Sequence, residues 1–171
     1  MLGKILRLYR KHFWSPERQA RYAGVMIGYN CNIQRVTFGS EPYLIEIGDH
    51  VQITDGVKLF THGGAWVLRQ KYPDMDFFGR IVIGNNVYIG NNSLIMPGVS
   101  IGNNVLIAAG SVVTKSIPDN VVVGGNPARV ITVIEEFEKK MVAINVNTKP
   151  MGSVEKKEYL SSLPRSRFIK K

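Results

Sequence analysis

Between residues 83 and 118 the chain reads IGNNVY, IGNNSL, IMPGVS, IGNNVL, IAAGSV, VTKSIP. An aliphatic side chain opens every hexad: Ile83, Ile89, Ile95, Ile101, Ile107 and Val113. The fifth position is restricted too, to Val87, Ser93, Val99, Val105, Ser111 and Ile117. A period of six is not helical, because it throws successive apolar residues onto opposite sides of an α-helical cylinder. It suits a coiled ladder of short strands. Each hexad supplies one strand whose first and fifth side chains point inward. The pair between them, as in Asn85-Asn86, Asn91-Asn92, Pro97-Gly98 and Asn103-Asn104, forms a corner. Asn and Gly tolerate the left-handed backbone that a sharp corner needs. Three hexads then close one triangular coil of 18 residues. Successive coils stack at the inter-strand spacing of about 4.8 Å.

The phase continues upstream through Ile47, Ile53 and Leu59, and earlier through Ile27 and Ile33. The step from Ile33 to Ile47 is fourteen residues, two more than two hexads, which predicts a bulge or loop near residues 40–43. Cys31 falls on an inward fifth position and is expected to be a small buried core residue. Residues 62–80, HGGAWVLRQKYPDMDFFGR, break the phase and predict an excursion from one corner. A departure of that length from a regular wall is usually functional. Leu2, Ile5, Leu6, Tyr9 and Phe13 recur at helical spacing, which predicts a helix over 1–14 stopped by Ser15-Pro16. A second amphipathic helix is expected over 133–144, while the tail 145–171 shows little pattern. The expected organisation is a lead-in at 1–24, a repeat domain at 25–132 and a C-terminal segment at 133–171.

Composition changes this picture in two places. The single cysteine excludes an internal disulfide framework and any multi-cysteine zinc site, so the reducing cytoplasm is the expected location. Residues 2–9 interleave apolar residues with Lys and Arg, unlike a signal peptide, and no apolar run is long enough to span a bilayer. The net charge of +9 suggests a polyanionic partner until it is mapped. Residues 1–21 carry six Lys and Arg against one Glu, and residues 135–171 carry nine against five. Residues 22–134 hold seven of each sign. The repeat body is neutral and only the ends are basic, so no nucleic-acid groove is expected. The ends suit peripheral contact with a membrane or a glycan-assembly machine.

The stretch from residue 83 to residue 131, with its PGVSIG, AAGSVVTKSIP and GNPARVI segments, resembles the hexapeptide-repeat acetyltransferase superfamily. The resemblance is nearest to the branch that O-acetylates sugars and polysaccharides, which includes the maltose and galactoside acetyltransferases. It covers roughly residues 25–135. It implies an all-β core, a left-handed parallel β-helix of triangular coils with short terminal helices, assembled as a homotrimer with active sites between subunits. It also implies acetyl-CoA as co-substrate, no required metal and a histidine as general base. An alcohol is a weak nucleophile until its proton is removed, and a neutral imidazole can accept that proton near neutral pH.

Three histidines compete for the role. His12 lies in the basic N-terminal segment, and His50 stands at a corner where the repeat elsewhere uses turn residues. His62 closes LFTHGG and opens the excursion, where the superfamily's catalytic histidine occurs. Related sequences often place an acidic residue after it, whereas Gly63 and Gly64 follow here. The group orienting the imidazole must come from elsewhere, with a backbone carbonyl, Asp55 and Asp74 as the candidates. Tyr88 replaces the superfamily's frequent Trp and is implied to flank the thioester. The corner Ala108, Ala109 and Gly110, with Thr114, is implied to meet the pantetheine arm. Lys115 and Arg129 are the only cations between residues 81 and 134 and are implied to meet the CoA phosphates. Trp66, Tyr72, Phe77 and Phe78 offer faces for sugar stacking, while Asn32, Asp55, Asp74 and Asp76 are candidate partners for hydroxyls. The competing readings are N- or O-acetylation of an antibiotic or amino sugar, and a non-catalytic scaffold. A zinc hydratase on the same fold needs three converging histidines, which these positions do not offer.

Overall fold

The structure is a computed structural model that describes residue 9 and residues 12–169. The helix expected over residues 1–14 lies largely outside the described residues, although Tyr9, His12 and Phe13 are helical. Ser15-Pro16 starts a helix rather than only stopping one. Ser15 accepts a hydrogen bond from Arg18 N at 3.2 Å and caps the helix Pro16–Ala23, with proline in the first turn. Thirteen strands follow among the described residues. They are β1 (Met26–Ile27), β2 (Asn32–Ile33), β3 (Ile45–Ile47), β4 (Gln52–Ile53), β5 (Lys58–Leu59), β6 (Ile81–Ile83) and β7 (Val87–Ile89). Then come β8 (Leu94–Ile95), β9 (Ser100–Ile101), β10 (Val105–Ile107), β11 (Val112–Val113), β12 (Val121–Gly124) and β13 (Arg129–Val133).

These strands build three sheets, ordered β1-β3-β6-β9, β2-β4-β7-β10-β12-β13 and β5-β8-β11. All pairings are parallel except β12 with β13. The chain visits the sheets in rotation, as the hexad phase requires for a triangular coil. Both inward positions are buried in every hexad from 83 to 117, including the polar Ser93 and Ser111. Their hydroxyls are satisfied, since Ser93 donates to Gly90 O at 2.8 Å and Ser111 to Ala108 O at 2.5 Å. Cys31 is only half-buried, packed against the end of the core.

The corner between the first two sheets explains the Asn85-Asn86 and Asn103-Asn104 pairs. Asn30, His50, Asn86, Asn104 and Asn120 all have left-handed backbone, with φ between 53° and 62°. The residue before each of the last four sends its side chain one coil down to a backbone N–H. Asp49 accepts from Tyr29, Asn85 from Asp49, Asn103 from Asn85 and Asp119 from Asn103, at 2.7 to 2.8 Å. Gly84 stands in this tight stack, where a Cβ would lie 2.8 Å from Gly102 O.

Residues 135–171 form a second compact unit. The helix Ile134–Ala143 leads into it, and the tail, which showed little pattern, contains the helix Ser153–Ser162 and a turn at Arg165–Arg167. Arg167 Nη2 donates to Asn145 O at 3.1 Å within this unit. Among the described residues no helix is long and apolar enough to cross a membrane.

The tight corner predicts that Gly84→Ala lowers stability by about 1–3 kcal/mol through overpacking. Gly64→Ala, with nothing within 4 Å of its Cβ position, is expected to be near neutral. Chemical denaturation of both variants measures the difference.

Candidate active site

The length of the chain between stacked strands varies at one prism edge above all. From the sheet of β5, β8 and β11 to the next strand of the first sheet, the step is nine residues from Phe38 to Ile47. It is twenty-four from Leu59 to Ile83, six from Ile95 to Ile101, and four from Val113 to Ile117. The other two edges keep steps of six, apart from five between Ile33 and Phe38. Aliphatic side chains fix the strands, so inserted residues must leave where no inward position is lost.

The nine-residue step carries Ser40 and Glu41, and the turn Pro42–Leu44 takes up its extra length. The twenty-four-residue step is the excursion. It departs and returns through a short antiparallel contact of His62 with Phe78, with Gly79 N donating to Thr61 O at 2.8 Å. His62 is thereby held at the base of the loop. Gly63 has a local reason: the Phe77 ring lies where its Cβ would stand.

Glu41 and His62 meet across adjacent coils. His62 Nδ1 lies 2.9 Å from Glu41 Oε2, and the hydroxyl of fully buried Thr61 donates to the same oxygen at 2.6 Å. Ser40 Oγ lies 3.4 Å from the same imidazole nitrogen. The Glu41 side chain is 16% exposed and that of His62 is 44% exposed. The Thr61 hydrogen bond, followed by that of His62, pulls the Glu41 carboxyl below its ordinary value of 4.5. An ionised carboxylate only accepts hydrogen bonds, so Nδ1 carries a proton, and in the neutral form of the ring Nε2 presents a lone pair. The imidazole is therefore set up to take a proton from a group approaching its exposed side. The orienting group is Glu41, not a backbone carbonyl, Asp55 or Asp74. Register could have identified it: Thr37 pairs with Lys58, an offset of 21, and the same offset relates Glu41 to His62.

Lys115 sits on the same edge, in the four-residue step, two coils beyond His62 and so roughly 10 Å along the prism axis. Lys115 and Arg129 line one cleft of about 260 Å³ with Val113, Ser116 and Ala128. Thr114 is exposed beside it. Ala108, Ala109 and Gly110 form a different corner, between β10 and β11, where Gly110 has φ 71°. Asn32 and Tyr88 belong to a separate cleft of about 300 Å³ on the β2-β4-β7-β10 face, with His50, Gln52 and Leu106. His62 does not line that cleft.

Asp55 is held by Arg35 in a two-pronged pair, both contacts 2.8 Å, and this pair lowers its pKa. On the excursion, Trp66, Tyr72, Phe77 and Phe78 are exposed, as is Asp74. Asp76 accepts from Phe77 N at 3.0 Å and faces Arg69 at 3.8 Å, bracing the loop. His50 serves as a corner residue, with Nδ1 at 2.9 Å from Asn86 Oδ1, and His12 is exposed.

Comparison with known proteins agrees with this architecture. Residues 80–115 match the family described as bacterial transferase hexapeptide (six repeats). The chain is 57% identical over 160 residues to protein CapG of Staphylococcus aureus, covering 91% of this chain and 92% of that one. It spans about half the length of four further relatives that it matches. Among solved structures, a maltose O-acetyltransferase from Clostridium difficile 630 is 30% identical with a TM-score of 0.60, covering 77% of this chain and 83% of that one. A galactoside acetyltransferase in complex with coenzyme A is 32% identical with a TM-score of 0.56, covering 80% and 81%. The chain belongs to the hexapeptide-repeat acetyltransferase family, and its fold is that family's left-handed parallel β-helix.

Proposed function

We propose that the protein transfers the acetyl group of acetyl-CoA to a hydroxyl of a saccharide or polysaccharide precursor, with His62 as general base. The observation that carries this reading is the Glu41–His62 pair, which fixes the imidazole tautomer with Nε2 free to accept a proton. The acceptor hydroxyl oxygen attacks the thioester carbon while its proton passes to Nε2. The carbon–sulfur bond then breaks, and the proton is returned to the departing CoA sulfur. Glu41 stabilises the imidazolium formed between these steps, as a carboxylate does for a catalytic histidine.

The saccharide acceptor is supported by the relatives named for galactoside and maltose acetylation. Exposed Trp66 and Tyr72, in the excursion that His62 opens, supply apolar faces suited to sugar rings, and Asp74 is exposed in the same loop. Lys115 and Arg129 fit the CoA phosphates, since they place two cations in one cleft on the catalytic edge. The small corner Ala108–Gly110 and Thr114 fit the pantetheine arm. Asn32 and Tyr88 lie on another face of the same chain, which favours a homotrimer in which a neighbouring copy brings that face to His62.

His62→Ala is expected to abolish thiol release from acetyl-CoA in the presence of acceptor while leaving the oligomer intact. Normal turnover would overturn the general-base assignment. Replacing Lys115 and Arg129 together by Ala removes two charge-assisted contacts and should raise KM for acetyl-CoA by about 10- to 100-fold, with kcat changed much less. Glu41→Gln is expected to lower kcat by about 10- to 1000-fold. The folded-state pKa of Glu41 is depressed, so its contribution to stability is present above the unfolded value near 4.5. That contribution is lost as pH falls through the lower folded value. The Tm difference between wild type and Glu41→Gln should therefore be largest near neutrality and shrink below pH 4.5. Thermal melts across pH check this sign.

A further inference from the structure

The N-terminal segment carries a pattern that acetyl transfer does not use. Read at the helical period of 3.6 residues, the sequence would set Leu2, Ile5, Leu6, Tyr9 and Phe13 on one face, and Lys4, Arg7 and Lys11 on the opposite face with Arg10 at its margin. Tyr9 and Phe13 are the described members of the apolar stripe. Both are helical, and their rings stack with centroids 4.9 Å apart. They are 54% and 73% exposed, and the hydrophobic core does not include them. Trp14 follows at the end of the segment, half-buried, with the Arg18 guanidinium 4.3 Å from its ring.

We infer that this segment docks the enzyme on an anionic phospholipid surface, with the apolar stripe at the headgroup boundary and the cations among the headgroups. An apolar face opposed by a cationic one, with aromatic residues near its end, is the composition of a helix that lies in a membrane interface. Charge decides between occupants. Packing the stripe against a second copy would bring like-charged segments together, whereas anionic headgroups offset four cations over a body that is itself neutral. A nucleic acid would neutralise the cations but leave the apolar stripe without a role. The chemistry at His62 is independent of this contact.

The test uses the full-length protein with sedimented vesicles of phosphatidylcholine alone, and of phosphatidylcholine mixed with phosphatidylglycerol. The wild type is expected to bind the mixed vesicles, to bind the neutral ones far less, and to be released by high salt. In a Trp66→Phe background, Trp14 fluorescence should shift to the blue on binding. Replacing Lys4, Arg7, Arg10 and Lys11 by Gln should lower vesicle partitioning by at least about tenfold, since each juxtamembrane cation contributes on the order of fivefold. Thiol release and oligomer size in solution should be unchanged in that variant. Phe13→Asp should weaken partitioning as well. The inference is overturned if wild type fails to bind the mixed vesicles, if the four-Gln variant binds as well as wild type, or if Phe13→Asp splits the oligomer.

Discussion

Stacking of one coil on the next is the constraint from which the rest of this molecule follows. Each turn of the prism buries aliphatic side chains such as Ile53, Ile89 and Ile107, which lie within one continuous core. Each is worth about 1.5–3 kcal/mol against exposure. Parallel backbone pairing then locks the register of those side chains to within a residue. Sequence insertions can enter such a wall only where they displace no inward position. Here they gather at one edge, as a nine-residue and a twenty-four-residue step in adjacent coils. The acid–base pair is a consequence of that placement, because the two insertions bring Glu41 and His62 side by side.

Much of this was legible in the sequence for physical reasons. The hexad phase follows directly from burial, so the triangular coils and the inward residues could be read without coordinates. The left-handed corners followed from Asn and Gly, which tolerate that backbone. What stayed hidden depended on register between coils of unequal length. Glu41 is 21 residues from His62, across a coil whose length departs from 18, so the hexad phase did not bring the two together. Asp55 proved to be committed to Arg35. The helix Pro16–Ala23 was hidden because Ser-Pro was read as a stop, although serine as cap and proline in the first turn also begin helices. The helix Ser153–Ser162 has almost no sidedness to its hydrophobic residues, which is why periodicity did not show it.

The charge distribution has a related logic. The repeat body carries equal numbers of each sign, and two of its cations, Lys115 and Arg129, share a cleft on the edge that bears His62. The excess lies in residues 1–21 and 135–171 of the sequence. The prism supplies rigidity to an imidazole that must be held in one orientation, while the termini bear charges that the core could not accommodate.

Coil register places Glu41 against His62 Nδ1, and that contact sets the tautomer of the ring. The most direct test is nitrogen-15 NMR of the imidazole at neutral pH, with His12 and His50 replaced so that one ring is observed. The expected result is a proton on Nδ1, with Nε2 showing the shift of an unprotonated nitrogen. A ring protonated at Nε2, or an even mixture of tautomers, would contradict it.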